Sequence, residues 1–482
     1  MNKTRIAARI HRHLVLFPGL VVLLFSGCMV GPDYQRPDVE MPAAWSGQPA
    51  PATPVAAEEE LARWWTQFGD PQLASLVTRA LSANLDLRKA GARVRQARAS
   101  RGVALAALGP SVDASAAYDR NRTTVGVTGD LYQAGFDAGW EIDLFGGRRR
   151  DIEAAGADLA AAEESRRDVL VSLGAEVARE YISLRAVQQR LAVARKNLAA
   201  QEHTANLVRQ RFQAGFVSRL DLSNAEAQRA TTAAQIPLLE ATARQSMHSL
   251  SVLLGREPGA LLPELTPQAA VPAVPPDVPI GLPSDLLRRR PDIRKAEATL
   301  HAATARIGVA TADLFPRFNL TGALSFSDPN LGSLFTWSER GWSFGPTVSW
   351  RLFESGRTLA NIELRKALQE EEGLAYQQVV LIALQEVEDA LVAAAKEEEH
   401  QRSLQDAVGA NRTAVELATR LYQAGAADFL SVLVAERALY ATEDAQTQSS
   451  GRLATNLVAL YKALGGGWVP EEKEETPSAS VP

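Results

Sequence analysis

The chain has 482 residues, a formal net charge of −5 and an aromatic content of only 6%. Residues 1–27 carry Lys3, Arg5, Arg9 and Arg12 and no acid, so the remainder bears nine net negative charges, which argues against the basic surface a nucleic-acid partner needs. One cysteine, Cys28, excludes a disulfide within the chain, and abundant alanine with long charged stretches favours extended helices over one large core.

The first element is a targeting segment. After the four bases comes the apolar run Leu14–Phe25, broken by Pro18 and Gly19, and then Ser26-Gly27-Cys28. This pattern is that of a secretory signal, and the run falls short of the about 20 apolar residues a spanning helix needs. It resembles a bacterial lipoprotein signal, although Phe25 stands where leucine is preferred. That resemblance implies that Cys28 becomes the first mature residue, carries an S-diacylglycerol and an N-acyl chain, and, with Met29 rather than aspartate next, is sorted to the outer membrane. An ordinary secretory signal before an incidental cysteine is the alternative. Residues 28–62, rich in Pro and Ala, read as a lipidated arm lying extended on a surface, with Trp64 and Trp65 pinning its end.

The body of the chain is duplicated. The segment from Asp86 to Pro110 is answered from Asp292 to Pro316, 206 residues on, with Arg88, Lys89, Gly102 and Pro110 falling on Arg294, Lys295, Gly308 and Pro316. Trp140 is answered by Trp350, and the stretch from Phe212 by that from Tyr422. Two repeats, 63–255 and 284–464, therefore flank a linker at 256–283, where eight prolines exclude helix. A Gly-, Glu- and Pro-rich tail, 465–482, is expected to fray. Each repeat should contain a helix, two strands, a very long helix, a tight turn and a returning helix.

Strands are expected at about 111–127, 131–144, 317–327 and 341–353. Tyr132, Phe136 and Trp140 alternate with Gln133, Asp137 and Glu141, and Trp342, Phe344 and Trp350 alternate with Ser343, Gly345 and Arg351. Such alternation over nine to eleven residues suits a tilted membrane strand, although a half-buried soluble sheet shows it too. Aromatics on one face and charges on the other favour apolar-out, polar-in. Four strands cannot close a barrel, and an open edge in lipid is costly, so copies must share strands. Two copies would give eight and three would give twelve, the latter with the wider lumen. Gly146-Gly147 reads as the bend from strand to helix, and Arg148, Arg149 and Arg150 beyond it could meet lipid headgroups.

Long helices are expected at about 147–213 and 356–423. Leu170, Val177, Leu184, Leu191, Leu198, Ala205 and Phe212 stand seven apart, and the same register shifted by 210 runs from Val380 to Tyr422. A sustained heptad repeat implies left-handed supercoiling against neighbouring helices, with or without a duct inside. Gly215 and Gly425 sit where the rods need a left-handed terminal residue, and Ser218 and Asp428 can cap the returning helices.

No G-x-S-x-G, H-E-x-x-H or phosphate-cradling glycine loop is present, and His203, His248, His301 and His400 lie isolated on helical segments without metal-ligand spacing. Nothing here points to an enzyme, a metal or a cofactor beyond the acyl chains at Cys28.

Residues 288–322, the segment 140–149, the paired Gln-Ala-Gly tips and residues 26–37 resemble the outer-membrane factor family, most closely its lipoprotein branch. The resemblance covers nearly the whole mature chain. It implies a mainly helical fold with a transmembrane β part: a homotrimer whose twelve strands form a barrel in outer-membrane lipid and whose twelve helices continue it as a periplasmic tube. The linker and chain ends would form an equatorial belt. The implied role is a passive exit duct for drugs or toxic compounds, fed by an inner-membrane transporter of the resistance–nodulation–division class through a periplasmic adaptor (membrane fusion protein). In the family, polar side chains at the hairpin tips close the tube. Asp221 and Tyr422 fall on such positions, while Ser431 and Val434 replace aspartates of some relatives, leaving Arg219 and Asp428 as candidate substitutes; plain capping is the alternative for all four. A type I protein-secretion duct shares every feature, and a periplasmic coiled-coil adaptor lipoprotein is a reading of another class.

Overall fold

The computed structural model describes residues 29–46, 58–122, 124, 126–275, 278 and 281–468; the signal segment, Cys28 and the tail beyond 468 lie outside them. The described elements are α1 (Glu58–Ala62), a 3-10 turn (Trp64–Phe68), α2 (Pro71–Ala83), α3 (Leu85–Ala106), β1 (Ser111–Arg122), β2 (Thr128–Ile142), α4 (Gly147–Gln213), α5 (Arg219–Leu253), α6 (Leu262–Leu265), α7 (Leu286–Arg289), α8 (Pro291–Ala312), β3 (Arg317–Asp328), β4 (Arg340–Ser349), α9 (Arg357–Gln423) and α10 (Phe429–Ala463). The duplicated order is as expected. Both long helices have 67 residues, about 100 Å at 1.5 Å per residue. Among the described residues no helix is long and apolar enough to cross a membrane.

Described residues cluster into two units, the first drawn from 1–39, 92–163 and 295–378 and the second from 40–91, 164–294 and 379–482. The first unit holds one antiparallel sheet in the order β1-β2-β3-β4. Its strands end earlier than expected at two places. β1 stops at Arg122, and β4 stops at Ser349, because the chain turns away through Glu354, which pairs with Arg351 and Arg357, and through Ser355 and Gly356 in the left-handed region.

In the second unit Asp70 caps α2, accepting from the backbone N–H groups of Gln72 and Leu73 at 2.8 and 3.0 Å, with Pro71 pre-set for the first turn. Trp64 and Trp65 are buried, and Trp64 stacks on Tyr461 at 5.2 Å. Heptad positions carry the helix packing: Val177, Leu184, Leu191, Ala205, Val387 and Val408 are buried. Two expectations need correction. The proline-rich linker does contain a helix, α6, because Pro263 occupies its first turn, where a missing N–H is no loss. The tail does not fray at once: Trp468 is buried between the guanidinium groups of Arg167 and Arg294, at 5.0 and 5.2 Å, and donates its indole N–H to the Arg289 carbonyl.

Candidate functional site

The sheet register explains the alternation in the sequence. Every cross-strand pair joins residues of equal parity, so all even-numbered residues share one face: Ala114 lies opposite Phe136, Phe136 opposite Leu324, and Leu324 opposite Trp342. Tyr132, Phe136, Trp140, Trp342 and Phe344 all lie on this face, with Trp342 and Phe344 75% and 72% exposed. Its far end is charged, where Arg120 pairs with Asp130 and the Tyr118 hydroxyl donates to the same carboxylate. Trp350 lies one residue beyond β4, not within it. Its indole N–H donates to the Leu314 carbonyl at 3.1 Å, as that of Trp140 does to Leu108 at 2.7 Å, so the duplication extends to the hydrogen bonds at the hairpin bases. Between residues 133 and 141 the odd face of β2 holds only Gln133, Gly135, Asp137, Gly139 and Glu141. Among the described residues both outer edges, on β1 and β4, lack a paired strand.

In the same unit the arm is gripped rather than merely laid down. Arg150, 1% exposed, donates to the carbonyls of Val30 and Gly31 and to the carboxylates of Asp33 (2.6 Å) and Glu153 (2.8 Å). This corrects the expectation for Arg150, which is buried under the arm rather than facing lipid headgroups; Arg148 and Arg149, still partly exposed, pair with Glu141 and Asp143. Gly31, with φ of 89°, lies so close to Gly308 that a Cβ would stand 2.4 Å from its Cα. Tyr34 stacks on His301 at 4.4 Å, and His301 bonds Glu153, so this histidine is not isolated. Burial works to raise the Glu153 carboxyl, but the bonds from His301 and Arg150 outweigh it and hold it below its ordinary value.

The second unit carries the hairpin tips. Gly215 and Gly425 adopt φ of 79° and 72°, and the N–H groups of Phe216 and Ala426 reach back to the carbonyls of Arg211 and Leu421, closing the long helices as expected. The returning helices are capped by one chemistry in exchanged order. In α5 the Asp221 carboxylate accepts from the Ser218 N–H and hydroxyl at 3.0 and 2.7 Å. In α10 the Asp428 carboxylate accepts from the Ser431 N–H and hydroxyl at 3.0 and 2.7 Å. These bonds hold Asp428 below its ordinary value. Thus Asp221 and Asp428 are both occupied within their own helices. Arg219 is exposed, and among the described residues it makes no ion pair. Tyr422 is buried among Ala205, Val208, Phe429 and Val432, with its ring tilted at 58° to that of Phe429, 5.7 Å away. The four positions are therefore not brought into one polar cluster within the chain.

The family described as outer membrane efflux protein matches residues 76–256 and again 282–466, once on each repeat. The chain belongs to the outer membrane efflux protein family. Nodulation protein T of Rhizobium leguminosarum bv. trifolii is 34% identical over 467 residues, covering 94% of this chain and 97% of that protein. The probable efflux pump outer membrane protein TtgC of Pseudomonas putida is 33% identical over 473 residues, covering 96% and 97%. Among solved structures, the outer-membrane channel OprN superposes with a TM-score of 0.84 at 40% identity, covering 92% of this chain and 100% of that one. The open state of the Neisseria gonorrhoeae channel MtrE gives 0.79 at 30%, covering 92% and 99%. This efflux protein is an outer-membrane channel.

The sequence of the efflux protein put Arg150 among bases facing lipid headgroups and marked no role for Arg211, because Asp33 and the Tyr422 carbonyl, which they meet, lie far away in the chain. It also missed Glu436, half-buried on α10 with one hydrogen bond, from Thr204 at 2.9 Å. Burial raises this carboxyl above its ordinary value, with the Thr204 bond working the other way. Its folded form therefore favours the proton, so the stability it contributes is present below the unfolded value and lost as pH rises through the folded one. Glu436→Gln should leave unfolding unchanged near pH 4, where the unfolded carboxyl of about 4.3 is largely protonated, and raise the unfolding temperature at neutral pH. Thermal scans at both pH values check this.

Proposed function

We propose that three copies of the chain pool their four-stranded sheets into a twelve-stranded barrel in the outer membrane, continued by twelve helices as a periplasmic tube. The single observation behind this reading is a sheet with one apolar face, one polar face and, among the described residues, two unpaired edges. In lipid each unpaired backbone group costs several kcal/mol, so such a sheet persists only when its edges are covered by further strands. The polar face then lines a wet lumen, and compounds move passively through it.

The duct serves a tripartite pump. Phe216 and Leu220 at one tip and Leu430 and Val434 at the other are exposed apolar side chains suited to a periplasmic adaptor, which links the duct to an inner-membrane transporter. Cys28 carries the acyl chains that anchor the arm. Relatives are described as serving toluene, antibiotic and cation efflux, which fits a duct whose cargo is chosen by the pump. The reading is tested by extracting the protein from outer membranes in mild detergent, measuring its native mass and recording from planar bilayers. A trimer that forms ion-conducting channels is expected; a monomer, or trimers that never conduct, would overturn it.

A further inference from the structure

We infer that the loop between β3 and β4 is a foot set on the outer side of the barrel, where Trp337 and Arg340 hold a phosphate-bearing lipid of the outer leaflet. This rests on the barrel proposed above, with the even-numbered face of the sheet towards lipid. The loop runs from 329 to 339 and turns back on that face. The Asp328 carboxylate accepts from the Asn330 N–H at 2.6 Å, and the Phe335 ring meets that of Phe326 edge-on, 5.7 Å away. A loop folded over the barrel mouth would turn towards the odd-numbered face instead. Phe335, Trp337 and Leu331 are 71%, 70% and 63% exposed, and through Phe335 this apolar surface continues onto the sheet.

The depth of this corner is that of a lipid headgroup. Arg340 lies opposite Phe326 at the last pair of β3 and β4, and the next residue on that face of β3 is Asp328. Beyond it, on the neighbouring hairpin, Arg120 pairs with Asp130. Apolar side chains therefore give way to charge at this level, the depth at which tryptophan collects and long cationic side chains reach for water. The Arg340 guanidinium lies over the Trp337 ring, 4.1 Å from its centroid, and donates to the Trp337 carbonyl. Those two contacts fix its plane. Among the described residues it has no carboxylate partner, so its remaining N–H groups stay available as a fork for phosphate oxygens. The duplication supplies this corner once. The related turn, between β1 and β2, spans only 123–127, and Val127 is its one exposed large apolar residue among those described.

The test uses the full-length protein returned to phosphatidylcholine vesicles with or without diphosphoryl lipid A. Arg340→Gln should lower the lipid A retained by the protein, counted by native mass spectrometry, roughly tenfold, the size expected for one bond to a charged group. Trp337→Ala should lower it about threefold by removing the ring beneath the guanidinium. Arg351→Gln removes an equal charge at the other end of the hairpin, where Arg351 pairs with Glu354, and should change nothing. Retention by Arg340→Gln at the parental level would overturn the seat, as would displacement of the lipid by inorganic phosphate at equal concentration, which would mark a site for the free anion. Spin labels locate the loop itself. A nitroxide on Phe335→Cys should be relaxed more by oxygen than by a water-soluble nickel chelate, once the parent's background from its one cysteine, Cys28, is subtracted. A label on Phe136→Cys, on the same face, separates two failures. If that label lies in lipid and the one on Phe335→Cys lies in water, the loop covers the mouth and the foot is wrong. If both lie in water, the barrel reading fails and the foot falls with it. Should Arg340→Gln fail to insert, Trp337→Ala and the Phe335→Cys label decide.

Discussion

Replacing Arg150 by methionine is expected to free the arm and destabilise the unit that holds it by about 3 kcal/mol, the lower end of the range for breaking a buried ion pair. The lower end applies because Asp33, one of its partners, is itself 84% exposed and can return to water. Glu153 and the carbonyls of Val30 and Gly31 cannot do so without the arm lifting. Urea unfolding should show the lower midpoint, and limited proteolysis should cut between residues 29 and 39 in the variant but not in the parent. The duplication supplies a matched control for the surface beneath. A Cβ at Gly308 would stand 2.7 Å from Arg150 Cγ, whereas at Gly102, its repeat partner, it would meet nothing within 4 Å. Gly308→Val should therefore expose the arm as Arg150→Met does, while Gly102→Val leaves it docked. Protection of the arm in both primary variants would show that the clamp is dispensable.

The contrast between Gly102 and Gly308 also shows what a sequence can and cannot disclose. Both read identically, as a glycine in a repeated helix. Only the three-dimensional path of the arm, which meets one repeat and not the other, tells them apart. Features governed by neighbours in sequence were legible: the period of two in the strands, the heptads of the rods, the left-handed glycines at 215 and 425 and the caps at Ser218 and Asp428. Register confirmed the faces because a shift by one residue would exchange them wholesale. Features governed by distant contacts were not legible. Arg150 meets residues about 120 positions earlier, and Arg211 meets carbonyls 211 and 212 positions later. Arg150 and Arg211 therefore looked like surface charges on long helices. The proline-rich linker misled for a different reason: a single helical turn tolerates proline at its start, and α6 is only that long.

The sheet face yields the other large effect. Phe136 sits between Ala114 and Leu324, and Trp342 lies opposite Leu324, so the two aromatics belong to one row across all four strands. A cation placed in the middle of a lipid-facing band costs about 2–4 kcal/mol, and a trimer would carry it three times. Phe136→Arg and Trp342→Arg should therefore each deplete the protein from outer-membrane fractions. Ser343→Arg is the discriminating companion. It adds the same charge one residue from Trp342 but on the opposite face, where Ser343 lies across from Ala323. If that face lines water, Ser343→Arg should insert at parental levels and alter only conductance. Were all three variants depleted alike, the loss would reflect general misfolding; were all three inserted alike, neither face would be in lipid. Only the alternating outcome ties the parity of the strand register to the membrane, because Ser343 and Trp342 differ in little but the direction in which the pleat turns them.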